Sequence, residues 1–180
     1  MTRYVALLGS INVGGNRLSM ADLRHALERE DFENVETVVA SGNVLFDHEA
    51  RPTQGLSEKL EYVIRDRFGF ESVAAVRSRE ELLEAIAENP FAGTNEDKFV
   101  HVMFLEGQPS AEQFERLIGD YKGRGEERMA PGTRALHIDY GSGVAGSKLT
   151  GDLIQRRLEM RGTARNLNSL ARIAEKMAED

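Results

Sequence analysis

The order of the predicted strands and helices constrains the fold of this chain more than any other feature of its sequence. Apolar residues 4–8 predict a buried strand, and Ser19 with Asp22 three positions on predicts a capped helix start. Gly42-Asn43 predicts a tight type II′ hairpin, because glycine supplies the positive φ of that turn. The first half therefore has the order β-α-β-β-α-β of a ferredoxin-like sandwich. Its predicted strands are residues 4–8, 35–40, 44–46 and 73–76, with helices around 23–27 and 56–64, the second ending near Gly69.

The second half starts with the same order, but a helix is predicted where a fourth strand would belong. Its predicted elements are a strand at 99–105, a helix capped by Ser110 and Gln113, a weak strand at 126–129, a turn at Pro131-Gly132, a strand at 135–140, a helix opened by Ser147 and a last helix from about Asn166.

A third helix and an irregular segment join the two halves. Ser78 and Glu81 form a capping box for that helix, and residues 89–95 break the pattern. We predict an α+β protein of two ferredoxin-like (βαββαβ-type) sandwich lobes, residues 1–90 and 91–180, the second ending in a helix. The halves share no evident sequence identity, so the architecture is repeated without proof of a duplication.

The first strand is apolar on both faces, although one face of an open sandwich usually meets water. The second face must then be covered. The third helix, the last helix or a second copy of the chain are the candidates, and the last of these makes a homodimeric structural protein one alternative.

Composition and charge narrow the classes of function. The chain has no cysteine, which excludes disulfides, thiolate zinc sites and cysteine nucleophiles and suits a reducing compartment. The run at 4–8 is too short for a signal peptide, and no later stretch is long and apolar enough to span a membrane. We expect a soluble cytoplasmic protein. A net charge of −7 and a pI near 5.2 disfavour a nucleic-acid partner.

Three polar loops are the candidate sites. They follow predicted strands or open predicted helices, where backbone donors lack helical partners. We therefore predict either a binding protein or an enzyme of unidentified reaction, with a small anionic or phosphate-bearing ligand in a cleft between the lobes. We assign no catalytic residue, metal or cofactor. The candidate ligand-binding residues are Asn12, Gly14, Gly15, Asn16, Ser41, Asn43, Ser147, Lys148, Arg165, Asn166 and Asn168.

The loop 141–146 also matches two nucleotide-binding patterns in part. Its G-x-G-x-x-G spacing is that of a dinucleotide fingerprint, which further requires a parallel βαβ unit. Lys148 would complete a P-loop, but Ser147 stands where the lysine belongs. The alternative interpretation is a plain β-to-α connection.

Two other hypotheses stay open at this point. The basic block 148–172 makes RNA or single-stranded DNA binding an alternative, against which stand the acidic pI and only 7% aromatic residues. If Leu136 and Ile138 face the core, His137 and Asp139 would meet His101 on the outer face and form a three-ligand metal site. Such a group is more often a polar sheet face.

The chain contains a set of motifs at 4–8, 11–15, 41–46, 89–91, Lys98, 101–102, 147–150 and 163–168. Together these motifs resemble the bacterial Domain-of-Unknown-Function-1697 family. They cover nearly the whole chain and are specific in combination. The resemblance implies two ferredoxin-like lobes and brings no established activity. The sequence departs from the family pattern at Gly9-Ser10, where Arg-Gly is usual, and at Leu167, where Trp is usual.

Overall fold

The computed structural model describes residues 1–12, 15, 17–40 and 42–179. Within this part of the chain two compact units form, Met1–Leu82 with Arg172–Asp180 (unit 1) and Leu83–Ala171 (unit 2). Each unit contains one four-stranded antiparallel sheet among its described residues. The predicted α+β class is confirmed, and the division at residue 90 stays a prediction.

Unit 1 has the predicted order of elements, and its strands lie in the order β2-β3-β1-β4. The central strand β1 pairs with both β3 and β4. The elements are β1 (Thr2–Gly9), α1 (Met20–Glu28), β2 (Glu33–Thr37), β3 (Asn43–His48), α2 (Thr53–Phe68), β4 (Val73–Ser78) and the start of α3 (Arg79–Glu88).

Unit 2 repeats this arrangement, with strand order β6-β7-β5-β8. A single 3-10 turn precedes its central strand β5. The elements are β5 (Val100–Leu105), α4 (Ala111–Tyr121), β6 (Arg128–Gly132), β7 (Ala135–Asp139), α5 (Gly151–Leu158), β8 (Gly162–Asn166) and α6 (Leu167–Met177).

Side-chain caps begin the helices where the sequence predicted them. Ser19 Oγ accepts from the Asp22 amide at 3.1 Å, and Ser78 and Glu81 form the reciprocal bonds of a capping box. Gly69 ends α2 in the left-handed conformation with φ 77°. These predictions are confirmed.

The predicted two-residue hairpin at Gly42-Asn43 is wrong. β2 ends at Thr37 and β3 begins at Asn43, so the connection between them is longer than two residues. The Val38 amide donates to the Asn43 carbonyl at 3.0 Å. Asn43 is a strand residue opposite Leu7, while Gly42 does have a positive φ of 95°. The apolar residues 38–40 fit a strand pattern, but they follow the end of β2 and belong to this connection.

A fourth strand, β8, stands where the sequence predicted a helix start. It pairs with β5 from Gly162 to Asn166, and Ala164 packs on the helix-facing core. A Cβ at Gly162 would lie 2.7 Å from the Phe104 carbonyl oxygen, so the close approach of the two strands needs glycine. This strand has only five residues and is partly polar, so its pattern was too weak to recognise.

The predicted turn at Pro131-Gly132 is also wrong, since both residues belong to β6. The turn is Thr133-Arg134, with a positive φ of 50° at Arg134. Proline is tolerated because β6 is an edge strand, where a missing amide donor breaks no inner ladder.

The second face of each sheet is covered, as the apolar first strand required. In unit 1, Val5 and Leu7 are fully buried on this face, and Met177 near the end of α6 shares a cavity with Arg3 and Asp47. In unit 2, Glu88 at the end of α3 lies 3.5 Å from the buried His137. Two of the predicted covers, the third and last helices, therefore border these faces.

Replacing Gly162 by alanine is expected to destabilise the protein by about 1–3 kcal/mol, because the added methyl group overlaps a strand carbonyl. Gly119→Ala is the matched control, since nothing lies within 4 Å of that helical position, and it should stabilise by about 0.5–1 kcal/mol. Urea denaturation followed by circular dichroism measures both. Equal effects of the two substitutions would contradict the strand contact.

Candidate functional site

Two of the predicted segments of unit 1 meet at one end of its sheet. The loop after β1 and the connection before β3 leave neighbouring strands, because Leu7 is paired with Asn43. The Leu8 amide donates to the Gly42 carbonyl at 2.8 Å and ties the two segments together. We call this the strand-end site, comprising the described residues among 10–17 and 38–43.

One side-chain hydrogen bond and one backbone hydrogen bond hold the glycine loop of the strand-end site. Asn12 Oδ1 accepts from the Leu18 amide at 3.0 Å, and the Gly15 carbonyl accepts from the Arg17 amide at 3.0 Å. Asn12 therefore orders the turn into α1. Arg17 is exposed, and its Nη1 lies 3.5 Å from the Asn12 carbonyl, so a cation stands at the mouth of the loop.

Backbone strain is concentrated at this site. Ser10, Asn12 and Val39 have φ values of 60°, 55° and 67°, in the left-handed region, and Gly42 has φ 95°. Such a conformation in a β-branched residue such as Val39 is a genuine outlier. Strained residues persist only where the surroundings enforce them, and they cluster at binding and catalytic sites.

Asn43 is the buried member of this site, at 2% exposure. Its amide donates to the Ala40 carbonyl at 3.3 Å, and its carbonyl accepts from Val38. Asn43 thus ties together the loop before β3 as well as the sheet. Gly14, Asn16 and Ser41, also predicted for the site, lie outside the described residues.

In unit 2 the Ser147-Lys148 segment does not open a helix, which corrects the prediction. α5 begins at Gly151, and its cap is Thr150, whose Oγ1 accepts from the Leu153 amide at 3.2 Å. Ser147 Oγ accepts from the Leu149 amide at 3.1 Å. Lys148 is exposed, and within the described ranges its side chain has no hydrogen-bond or ion-pair partner.

The side chains of Arg165 and Asn166 form hydrogen bonds with residues close to them in the chain. Arg165 Nη1 donates to Thr163 Oγ1 at 2.8 Å and to the Ala164 carbonyl at 2.9 Å, and burial lowers the pKa of Arg165 to about 10. Asn166 Oδ1 accepts from the Ser169 amide at 2.9 Å, so it caps α6 as predicted. Asn168 is exposed in the first turn of α6.

The start of the 141–150 loop and the end of β8 lie at the same end of the unit 2 sheet. Val100 is paired with Asp139, and His101 with Asn166. Leu149, however, packs into the helix-facing core, whereas Arg165 lies on the other face with Thr163. A common site for Lys148 and Arg165 stays a prediction.

The glycine loop 141–146 is fixed by carboxylates rather than shaped for a nucleotide. Glu126 accepts from both the amide and the hydroxyl of Ser142, at 2.9 and 2.5 Å. A Cβ at Gly141 would lie 2.6 Å from Glu126 Cδ. The preceding sheet is antiparallel and α5 starts five residues after Gly146, so neither the dinucleotide fingerprint nor a P-loop is present.

The predicted meeting of the histidines is wrong. His101 is opposite Ile138 and stacks edge-on with Tyr140 at 4.8 Å, on the helix-facing side. His137 is opposite Val102, on the other face. The two imidazoles are therefore separated by the sheet, and no cluster of three metal-ligating side chains occurs within the described residues.

Asp139 anchors a polar network that the sequence did not reveal. Its carboxylate is 4% exposed and accepts from Asn95 at 2.8 Å, from Arg128 at 2.7 Å and from the Gly141 amide at 2.9 Å. Burial alone would raise the pKa of Asp139, but these donors outweigh it and lower the pKa. The pairing of sheet neighbours brings Arg128 here, which no short-range pattern signals.

A cavity of about 500 Å³ in unit 2 lies beside this network. Its charged lining consists of Lys122, Arg128, Glu126 and Glu127, so neither sign dominates. Burial and the hydrogen bond to Glu127 raise the pKa of Tyr121, which also lines the cavity, to about 12. The equal numbers of acidic and basic side chains in this cavity do not favour an anionic ligand. The strand-end site, with Arg17, does.

Comparison with other proteins agrees with the α+β architecture and then assigns a family. The structure of the conserved bacterial protein SP0830 from Streptococcus pneumoniae aligns with 99% of this chain and 99% of its own, at 23% identity and a TM-score of 0.72. That identity shows a shared fold alone. The chain belongs to the family described as Protein of unknown function (DUF1697), which matches residues 1–137, so the resemblance is confirmed. Comparison with curated proteins gave no significant match.

The helices contain no membrane-spanning candidate. Across residues 1–12, 15, 17–40 and 42–179, none is both long and apolar enough to cross a bilayer.

Asp139→Asn is expected to lower the free energy of unfolding at pH 7 by about 1–3 kcal/mol, because a buried acceptor loses its charge-assisted bonds. The stabilisation from a depressed carboxyl pKa is present above the unfolded pKa of about 3.9 and is lost as the pH falls through the folded value. The wild-type protein should therefore lose more stability below pH 4 than the variant, as urea titrations between pH 7 and pH 3 would measure. Parallel curves would contradict this role.

Proposed function

We propose that this protein binds a small anionic, phosphate-bearing ligand at the strand-end site of unit 1. The observation that carries the proposal is the convergence of two glycine-containing loops, both with left-handed backbone, at one sheet end beside Arg17. Glycine lets a ligand approach the backbone closely, and a cation supplies attraction to negative charge.

The chemistry of the site favours an anion over other ligands. Arg17 is exposed and donates to the loop carbonyl only at the long distance of 3.5 Å. Its planar guanidinium matches the geometry of phosphate and carboxylate oxygens. Asn12 and Asn43 are committed to holding the loops, so their part is to preorganise the site.

We also propose that each unit is a ferredoxin-like sandwich. The strand orders β2-β3-β1-β4 and β6-β7-β5-β8, each with its central strand antiparallel to both neighbours, support this. In such a unit the β1-to-α1 loop and the β2–β3 connection leave the same sheet end, which is where the proposed ligand binds.

The sequence-based hypothesis included Lys148 and Arg165 in a cleft between lobes. Their participation concerns residues of unit 2 and stays a prediction. The experiment below separates it from the strand-end site, because Arg17 and Lys148 are replaced independently.

Thermal unfolding in the presence of inorganic phosphate, sulfate and mono- and dinucleotides tests the proposal. A ligand at 100 times its Kd stabilises by about 2.7 kcal/mol, which corresponds to a rise in Tm of roughly 5–10 °C for a chain of this size. Arg17→Ala should abolish most of that rise, because it removes the cation at the loop. Arg24→Ala is the matched control and should leave the rise intact, because Arg24 is an exposed arginine on α1 that makes no hydrogen bond or ion pair with the described residues of the loops.

Three results would distinguish the alternatives. Loss of the rise in Arg17→Ala alone supports the strand-end site, and loss in Lys148→Ala as well supports the wider site predicted from the sequence. No rise for the wild-type protein with any member of the panel contradicts the proposal.

A further inference from the structure

A lysine and a buried histidine form an unusual pair at the other end of β3 from the strand-end site. Lys59 lies on α2, and His48 is the last residue of β3. Lys59 Nζ is 3.0 Å from His48 Nε2. Two basic groups in hydrogen-bond contact require one to act as the acceptor.

The backbone determines which nitrogen of His48 accepts. His48 Nδ1 lies 2.9 Å from the Glu49 carbonyl oxygen, which can only accept, so Nδ1 carries the proton. Nε2 then presents its lone pair to Lys59. The imidazole is 4% exposed and packs edge-on against Phe32 at 5.1 Å, so burial holds it in this orientation.

Lys59 itself is half-buried and not neutralised by a direct carboxylate contact. Its Nζ lies over the Phe32 ring at 4.8 Å, and within the described residues no carboxylate is in ion-pair contact with it. Burial lowers the pKa of Lys59. The charges of Asp31 and Glu30 oppose this shift, and the charge of Arg51 adds to it.

We propose that Lys59 is a nucleophilic amine and a site of acylation, with His48 Nε2 as the acceptor of the proton that the amine releases. In the neutral amine, the nitrogen lone pair forms the N–C bond to the carbonyl carbon of an acyl donor. The bond from that carbon to the leaving group breaks, and its electron pair departs with the leaving group. The nitrogen's proton passes to His48 Nε2 and then to water.

The donor class is an activated acyl group, such as a thioester or an anhydride, whose carbonyl is reactive enough for an amine at neutral pH. Desolvated lysines beside other basic groups are the usual form of an activated lysine nucleophile. This inference is independent of the proposed anion site, which lies at the opposite end of β3 and uses neither residue.

Trace labelling with acetic anhydride at pH 7, followed by mass spectrometry, compares all five lysines of the chain in one sample. Lys59 is expected to react faster than each of the other four, because burial lowers its pKa and leaves a larger fraction of neutral amine at pH 7. The comparison residues are Lys98, Lys122, Lys148 and Lys176, of which all four are exposed.

His48→Phe keeps a buried ring against Phe32 and removes the acceptor, and His48→Gln keeps a polar acceptor without the ring. Lys59 labelling should fall to the level of the other lysines in the phenylalanine variant and be partly retained in the glutamine variant. His25→Gln, on the exposed side of α1, is the control and should change nothing. Far-UV circular dichroism reports whether each variant is folded, and the four exposed lysines normalise the labelling between samples.

The labelling rates can either overturn or support the proposal. A Lys59 rate at or below that of the fastest other lysine overturns the proposal. An unchanged Lys59 rate in folded His48→Phe overturns the role of His48. The proposal is supported if the labelling rate of Lys59 begins to rise at a lower pH than the rates of the other lysines, and if this difference requires His48.

Discussion

Each unit is organised by a central strand that is hydrogen-bonded along both edges and buried on both faces. In unit 1, Val5 and Leu7 are fully buried on one face of β1, and Ala6 is fully buried on the other. A shift of register by one residue would exchange the two faces of the strand, so packing on both sides fixes the pairing with β3 and β4. The two loops of the strand-end site adjoin the end of β1 and the start of β3. The packing of the core therefore fixes where both loops begin and end.

The two units place the same residue types at two equivalent sheet positions. The registers align Val5 with Val102, and Arg77 with Arg165. Each of these arginines donates to the carbonyl of the residue before it at 2.9 Å, so the same local solution to burying a guanidinium occurs twice. At these two positions both the residue type and its local hydrogen bond repeat, although the two halves as a whole share no evident sequence identity.

Much of the candidate site was visible in the sequence as glycine and asparagine in two loops, because such residues signal turns through local chemistry. The sequence missed Arg17 and the strain at Val39, since neither has a short-range pattern. It also missed the Asp139 network and the Lys59–His48 pair. Both depend on side chains brought together from separate elements, and sequence spacing carries no information about that meeting.

By itself the sequence determined the α+β class, the order of elements in unit 1 and the caps of α1, α3 and α4, because periodicity and capping act within a few residues. Only the tertiary structure decided that Gly162–Asn166 is a strand, since its five residues gain their hydrogen bonds from β5. It likewise decided that His101 and His137 lie on opposite faces, because that depends on the register between β5 and β7. Register is set by packing over the whole sheet, which is why local patterns could not supply it.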